Sequence, residues 1–568
     1  MLDIKFIREN KEAVQAGAKK KKIDFNVEEL LKVDDERRGV VSTVERLRTE
    51  QNLISDRIPT LENLAEKESQ IAESQAIKKE LQKTEEELKE VMQKWKALML
   101  QVPNVPDMSV PDGESDEDNQ EIKTWGEKPT FDFEAKDHIE IMNNLEMVDF
   151  ERGTKIHGFR GYYLMGDGAR LSWAIWNYAN DFFDKKGFLP MLPPAIVRKE
   201  NLYGTGHLPN DAEDVYRTQD DDYLIGTAEI PVTGYHSGEI LKKQDLPKKY
   251  LGFSPCFRRE AGSHGRDTKG LIRVNEFYKV EQVIICEASH QESVKWHEWI
   301  NRNTEEFIES LGIPYHTVIN CGGDLGQGQV KKYDVELWVP GENKYREISS
   351  ASYFHDFQSR RFNIRYKEGE QKAQYVHTLN CTAIPTPRIL VSMMENFQQA
   401  DGSVKIPEVL QKYLGGRTEF RKEPIEALET PPSLRASERS GEVCQSHEVS
   451  NDKQNEVSLS QSVVTENIQT PSSLRGMEHS EMTRQSHELP QSNKEILGHQ
   501  NTRTQEQHEE EKVIENLTSI EINPQTEEVL ETDISAQEVN SNFIKNQVEE
   551  VAEINPPVEE VKKRGFFG

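Results

Sequence analysis

Between Cys256 and Glu281 the chain reads CFRREAGSHGRDTKGLIRVNEFYKVE, whose side chains have the types and spacing to hold a nucleoside triphosphate. Arg258 and Glu260 are two residues apart, and on a strand residues i and i+2 share one face. That predicts a guanidinium and a carboxylate side by side in one pocket. The guanidinium can grip phosphate or carboxylate oxygens with a two-pronged fork, and the carboxylate can accept from an exocyclic amine. Gly262, Gly265 and Gly270 mark a flexible loop that carries Arg266 and Lys269 toward bound anions. In isolation such an Arg-x-Glu reads as a salt-bridged surface hairpin; its surroundings along the chain argue for chemistry.

Positioning these groups falls to the rest of the first 420 residues. From about Asn26 to Leu100 glycine almost vanishes. Val40, Val44, Leu47, Ile54, Ile58 and Leu61, then Ile77, Leu81, Leu88, Val91, Trp95 and Leu98, keep the three-four spacing of a coiled-coil seam. With Pro59 near the middle, the spacing predicts two helices of roughly 35 residues, each about 50 Å long, folded back as an antiparallel arm. Periodicity leaves open whether the arm dimerises or grips a partner. Lys19 to Lys22, just ahead of it, suit either phosphates or a solvated face.

The prolines and acids of PNVPDMSVPDGESDEDNQ have the composition of a linker. The expected division is an arm domain at 1–105, a linker at 106–130, a catalytic domain at 131–420 and an extension at 421–568. In the third part a helix is expected near Ala169–Lys186. Strands are expected near Tyr223–Ile225, Tyr250–Cys256, Glu276–Cys286, Tyr333–Trp338 and Arg346–Ser350. Hairpin-length loops separate most of them, which makes the fold class α+β with a largely antiparallel sheet and argues against a dinucleotide-binding Rossmann fold.

Of the formal net charge of −29, −15 lies beyond residue 420, where 14 Lys and Arg face 29 Asp and Glu and the only aromatics are Phe543, Phe566 and Phe567. Such a segment cannot bury enough apolar surface to offset the entropy of ordering, so a mostly disordered extension is expected. It contains a two-copy repeat, TPPSLRASERSGEVCQSHEV from Thr430 and TPSSLRGMEHSEMTRQSHEL from Thr470. It ends in VKKRGFFG, a candidate docking peptide whose partner the composition does not name. The five cysteines form no CxxC pair, and no apolar run is long enough for a membrane span. A cytoplasmic protein without membrane contact is expected.

Taken in order, the MLDIKFIREN opening, the helical arm, a helix leading into GFLPMLPP, the TAE triplet at Thr227–Glu229, the CFRREAGSHGRDTKGLIR loop, YDVELWVPGENKYREISS and Arg388 before ILVSMMENFQ give a chain that resembles the seryl-tRNA synthetase family of class II aminoacyl-tRNA synthetases over about residues 1–420. The resemblance implies a homodimer, joined through the helix and strand that end near Pro194. It implies activation of L-serine with ATP and Mg²⁺, then transfer to tRNA(Ser), with room for tRNA(Sec). It also settles the arm as a tRNA-binding arm.

Residue by residue, the resemblance implies that Arg258 bridges the α-phosphate and the serine carboxylate, Glu260 accepts from the adenine amine and Phe277 stacks on the ring. Arg273 and Arg388 would hold the terminal phosphates, and Arg259, Ile348 and Ser349 would complete the ATP site. Glu347 and Ser350 would supply oxygen ligands for Mg²⁺. Thr227, Ala228 and Glu229 would line the serine pocket, with Glu281 and Thr382 addressing the substrate's amino and hydroxyl groups.

Departures from the family pattern are local. NGSG reads NCTA at Asn380–Ala383, LAVGR reads IPTPR, HQF reads Asn275, Glu276, Phe277, and CSNC reads Ala351, Ser352, Tyr353, Phe354. The alternative is a synthetase-like paralogue that has lost aminoacylation and acts as a binding or regulatory module. Loss of the metal acid or of a phosphate arginine would mark it, and Glu347, Arg258 and Arg388 are all present.

Overall fold

The structure is a computed structural model that describes residues 1–262, 265 and 267–422. Arg266 and the extension from 423, with its repeat, its expected disorder and its terminal peptide, lie outside the described residues.

Two short helices, Ile4–Glu9 and Lys11–Lys20, lead into a hairpin of α1 (Val27–Arg57) and α2 (Leu64–Gln101). The Asn26 side chain caps α1 by accepting from the amides of Glu28 and Glu29, and Asn63 caps α2 through Ala65. Pro59 sits in the short 3-10 turn Ile58–Thr60 between them. Helices of 31 and 38 residues give rods about 45 and 55 Å long. Val44, Leu47 and Leu81 form a buried seam, with Ile77 and Leu88 packed against it.

One member of the lysine run at the root of the arm is not a solvated side chain. Lys21 is 3% exposed. Its ammonium donates to the carbonyls of Gly326 (3.1 Å) and Gln327 (2.9 Å) and to that of Gln329. Gln327 in turn donates to the Leu100 carbonyl at the end of α2, 2.7 Å away. One buried cation thus pins the arm's base to the loop Gly326–Gln329.

After α2 come α3 (His138–Asn144), α4 (Phe150–His157), α5 (Gly166–Asp184), α6 (Glu229–Gly234), α7 (His290–Leu311) and α8 (Arg388–Asn396). They surround an eight-stranded sheet of β1 (Gln120–Trp125), β2 (Leu189–Met191), β3 (Lys248–Phe257), β4 (Glu276–Cys286), β5 (Tyr315–Ile319), β6 (Lys331–Val339), β7 (Lys344–Tyr353) and β8 (His377–Thr386), in the order β1-β5-β6-β7-β8-β4-β3-β2. Every neighbouring pair is antiparallel except β2 with β3. Four of the five expected strands are among these, each within a few residues of its expected bounds, and the fifth, Tyr223–Ile225, falls on Asp222–Leu224, which pairs with Ile196–Arg198 in a separate two-stranded sheet.

The acid- and proline-rich stretch around 106–130 is more than a linker, since it contributes β1, the edge of this sheet. Trp125 of β1 stacks on Tyr315 of β5. Asp107 and Val110 are buried, and the Asp107 amide donates to the Val330 carbonyl. On one face α7 packs against β7 and β8, burying Ile300 and Phe307 with Leu379 and Ile384. Among the described residues no helix is long and apolar enough to cross a membrane.

Candidate active site

Arg258 and Glu260 do not share a strand. β3 ends at Phe257, and Glu260 takes a left-handed backbone with φ of +56°. The turn that replaces strand alternation is held on both sides. Asp214 accepts the Arg259 amide on its carbonyl (2.8 Å) and the Ala261 amide on its carboxylate (3.2 Å). Asn275 donates its side-chain amide to the carbonyls of Arg258 (2.9 Å) and Arg259 (3.2 Å). The departure at Asn275 thus supplies its own hydrogen bonds to the turn.

The turn delivers Arg258 and Glu260 to a single cavity. Arg273, Phe277, Glu347, Ile348, Thr382 and Arg388 line it as well. Arg273 pairs with Glu260 at 2.7 Å and reaches Asp267 at 3.5 Å. Arg388 donates to the Glu347 carbonyl at 2.8 Å and to the Ile272 carbonyl at 3.0 Å. Two further lining residues, Pro385 and Pro387, come from the IPTPR departure and shape the wall beside Arg388.

At the start of β4 the alternate residues Phe277 and Lys279 line this cavity. Phe277 lies under the Arg258 guanidinium, 5.4 Å from ring centre to cation. Lys279 follows, then Glu281 at the floor. Sequence reasoning passed over Lys279, although the alternation Phe277-Lys279-Glu281 was the signal that could have found it. Its ammonium pairs with Glu281 Oε2 at 2.5 Å and donates to Thr382 Oγ1 at 3.3 Å. Thr382 and Thr227 donate to the same oxygen of Glu281 at 3.3 and 3.5 Å. Thr382 is also the direct cross-strand partner of Glu281. Arg258, Glu260, Glu347 and Arg388 line the cavity, and Glu281 lies against its lining residues Lys279 and Thr382.

A second carboxylate joins this floor because of a glycine. Gly252 sits opposite Glu281 on β3, and a Cβ there would come within 2.9 Å of the Ala228 methyl. Its absence lets α6 approach the sheet and present Glu229, whose amide donates to Thr227 Oγ1 at 3.2 Å. Gln358 holds Glu229 Oε1 at 2.7 Å. Burial, reinforced by the charge of Glu281, pushes the Glu229 carboxyl up to about 7. Ala228 itself belongs to the apolar core with Val232 and Val283.

Across the sheet, Glu347 and Ser350 are three apart and on a regular strand would face opposite ways. The register between β6 and β7 slips, with Val335 opposite Ser349 and Glu336 opposite Glu347. The extra residue, Ile348, shifts the alternation by one and returns both oxygens to one face. Asp334 lies opposite Ser350 and is buried. All these donors are oxygens, and Glu347 stays half exposed, 3.9 Å from Arg388. Glu347 and Ser350 offer the oxygen type a hard divalent cation takes, whereas Asp334 is already engaged by Asn320 at 2.6 Å and Lys332 at 3.5 Å, and among the described residues no cluster of three or more acidic, histidine or cysteine side chains is placed to hold a metal. Ser349 points elsewhere, its hydroxyl donating to the Thr382 carbonyl on the α7 side. Arg259 is exposed and outside the cavity lining.

Two family models match the chain: the seryl-tRNA synthetase N-terminal domain over residues 1–106, and the tRNA synthetase class II core domain (G, H, P, S and T) over residues 214–397. The serine–tRNA ligase of Deinococcus radiodurans is 43% identical over 418 residues, covering 73% of this chain and 98% of that protein. Among solved structures, the seryl-tRNA synthetase from Pyrococcus horikoshii complexed with ATP superposes with a TM-score of 0.69 at 40% identity, covering 75% of this chain and all of that one. The cytoplasmic serine–tRNA ligase from Naegleria fowleri in complex with AMP gives 0.67 at 30% identity, covering 75% and 99%.

Proposed function

The chain belongs to the serine–tRNA ligases, and from that premise we propose that the cavity between Arg258 and Arg388 binds ATP, that the floor at Glu229, Glu281 and Thr382 binds L-serine, and that these residues join the two. The observation that carries this reading is the junction itself, where Thr382 lines the cavity and also donates to Glu281.

In the first step a serine carboxylate oxygen attacks the α-phosphorus, the bond to the bridging oxygen breaks, and pyrophosphate leaves. Both reactants are anions, so positioning and charge neutralisation dominate. Arg258 spans the α-phosphate and the carboxylate. Phe277 stacks on adenine and Glu260 accepts from its amine. Arg273 and Arg388 take the outer phosphates, for which Arg273 must exchange part of its pairing with Glu260 and Asp267. Glu347 and Ser350 would hold Mg²⁺, which when bound would supply positive charge to offset that of the phosphates. In the second step a ribose hydroxyl at the tRNA terminus attacks the acyl carbon and AMP leaves. Neither step requires a covalent enzyme intermediate.

Thr227 and Glu229 take the serine ammonium, which favours ionised Glu229. A carboxyl titrating near 7 is mostly protonated at pH 6 and mostly ionised at pH 8, so the KM for serine should fall as pH rises over that window, by on the order of tenfold. Glu229→Gln should raise KM and flatten the profile. A wild-type KM that is constant from pH 6 to 8 would contradict the assignment.

The arm domain, 1–105, is assigned to tRNA(Ser), with tRNA(Sec) as a second acceptor where a cell carries it. The connecting segment 106–130 and catalytic domain 131–420 follow, and the setting is the cytoplasm. A homodimer is supported by apolar side chains on α4, α5 and β2 and just beyond them, among them Ile156, Phe159, Trp173 and Leu192, the last two 59% and 83% exposed. A second copy of the chain would cover them. Aminoacylation of purified tRNA(Ser) by full-length protein and by a chain ending at residue 420 is the direct test. Both should charge tRNA with serine, and the shorter one, relieved of −15, should bind tRNA slightly more tightly. Equal charging with alanine or threonine would refute the specificity, and a large loss on truncation would refute a dispensable extension.

A further inference from the structure

The return of the glycine loop toward Arg273 is held by a pair of residues to which no role has been assigned above. His138, the first residue of α3, is 5% exposed, and Glu395, on α8, is 1% exposed. The Glu395 Oε1 atom accepts from the His138 amide and lies 2.9 Å from His138 Nδ1, also 2.9 Å from that amide nitrogen. Its Oε2 accepts from the Gly341 amide at 2.8 Å. The other imidazole nitrogen, Nε2, accepts from the Leu271 amide at 3.2 Å. An acceptor at Nε2 and a carboxylate at Nδ1 fix one tautomer: the proton is on Nδ1 and the ring is neutral.

Leu271 and Ile272 both line the ATP cavity. The two residues are held from opposite ends by the same helix. Arg388 at the start of α8 donates to the Ile272 carbonyl, and Glu395, seven residues on and so nearly on the same side of the helix, acts through His138 on the Leu271 amide. Gly270 leaves room for this contact. Its φ is +76°, and a Cβ there would stand 2.2 Å from His138 Nε2.

We propose that His138 and Glu395 are positioning residues for nucleotide binding, which lock Leu271 and Ile272 so that Arg273 enters the cavity at the height of the outer phosphates. Neither residue touches substrate. The inference rests on reading this cavity as the ATP site, and wild-type serine-dependent exchange of pyrophosphate into ATP tests that reading on its own.

His138→Phe keeps the ring and removes both nitrogens. The expected result is an ATP KM raised about tenfold, the size of one buried amide left without an acceptor, with the serine KM within about twofold of wild type. His138→Gln, which can place an oxygen near Nε2, should recover most of the loss. Glu395→Gln is the sharper probe: a carboxamide has one acceptor oxygen for three donors and can reverse the tautomer, so it should reproduce the His138→Phe defect at unchanged volume. Equilibrium titration with ATP and thermal melts accompany the kinetics. An unchanged ATP KM in a folded His138→Phe protein overturns the proposal. So do equal rises in both KM values with no recovery by glutamine, which mark a purely structural pair. A wild type without serine-dependent exchange refutes the ATP site instead.

Discussion

Arg258→Ala should lower serine-dependent exchange of pyrophosphate into ATP by about 10³-fold, mostly in kcat, because the lost guanidinium is the only group assigned to both reacting anions. The protein should remain folded, since among the described residues the Arg258 side chain makes two long hydrogen bonds to the Gly226 carbonyl, at 3.4 and 3.3 Å, and stacks on Phe277. Arg258→Lys should recover little, because a point charge cannot bridge a carboxylate and a phosphate as a planar fork does. Exchange within tenfold of wild type in the alanine variant, with an unaltered melting temperature, would remove Arg258 from the reaction centre.

The second large effect concerns the hydroxyl of serine. Glu281 is 2% exposed and shares Oε2 among Lys279, Thr382 and Thr227. A buried polar floor of this kind should favour serine over alanine by about 10⁴ to 10⁵ in kcat/KM, because alanine leaves buried groups unpaired. Threonine adds only a methyl, and shape alone gives about 1–3 kcal/mol against it. Lys279→Met should collapse serine activation by on the order of 10²- to 10³-fold, because it strands a buried carboxylate beside Glu229. Removing both members of the pair should cost less than removing the lysine alone. A serine-to-alanine ratio below about 10² in the wild type would be incompatible with Glu281 and Thr382 reading the hydroxyl.

What the chain revealed in advance follows from how local each signal is. The arm was legible because its three-four periodicity and Pro59 lie next to the elements they shape. The strand from Glu276 to Cys286 was legible for the same reason, from its own alternation. Convergence of Arg258 with Glu260 was read from strand geometry, and the structure reaches it by a left-handed turn that depends on Asp214, more than 40 positions upstream. The Ile348 bulge and the burial of Lys21 are invisible locally for a similar reason: one is a property of the β6–β7 register, the other of a loop some 300 residues away. The segment 106–130 has the composition of a tether and nonetheless adds a strand, because a sheet edge accepts a short polar strand that one partner suffices to hold.

The pinning of Lys21 makes the first hundred residues and the catalytic domain non-interchangeable parts. An arm transplanted from another protein would arrive with correct helices and still lose the buried anchor unless it brought a donor of lysine length to the carbonyls of Gly326, Gln327 and Gln329. Evolutionary or laboratory recombination across this joint must therefore match several contacts at once, since Asp3 also pairs with Arg360 at 3.0 Å and the Leu100 carbonyl accepts from Arg361 at 3.0 Å.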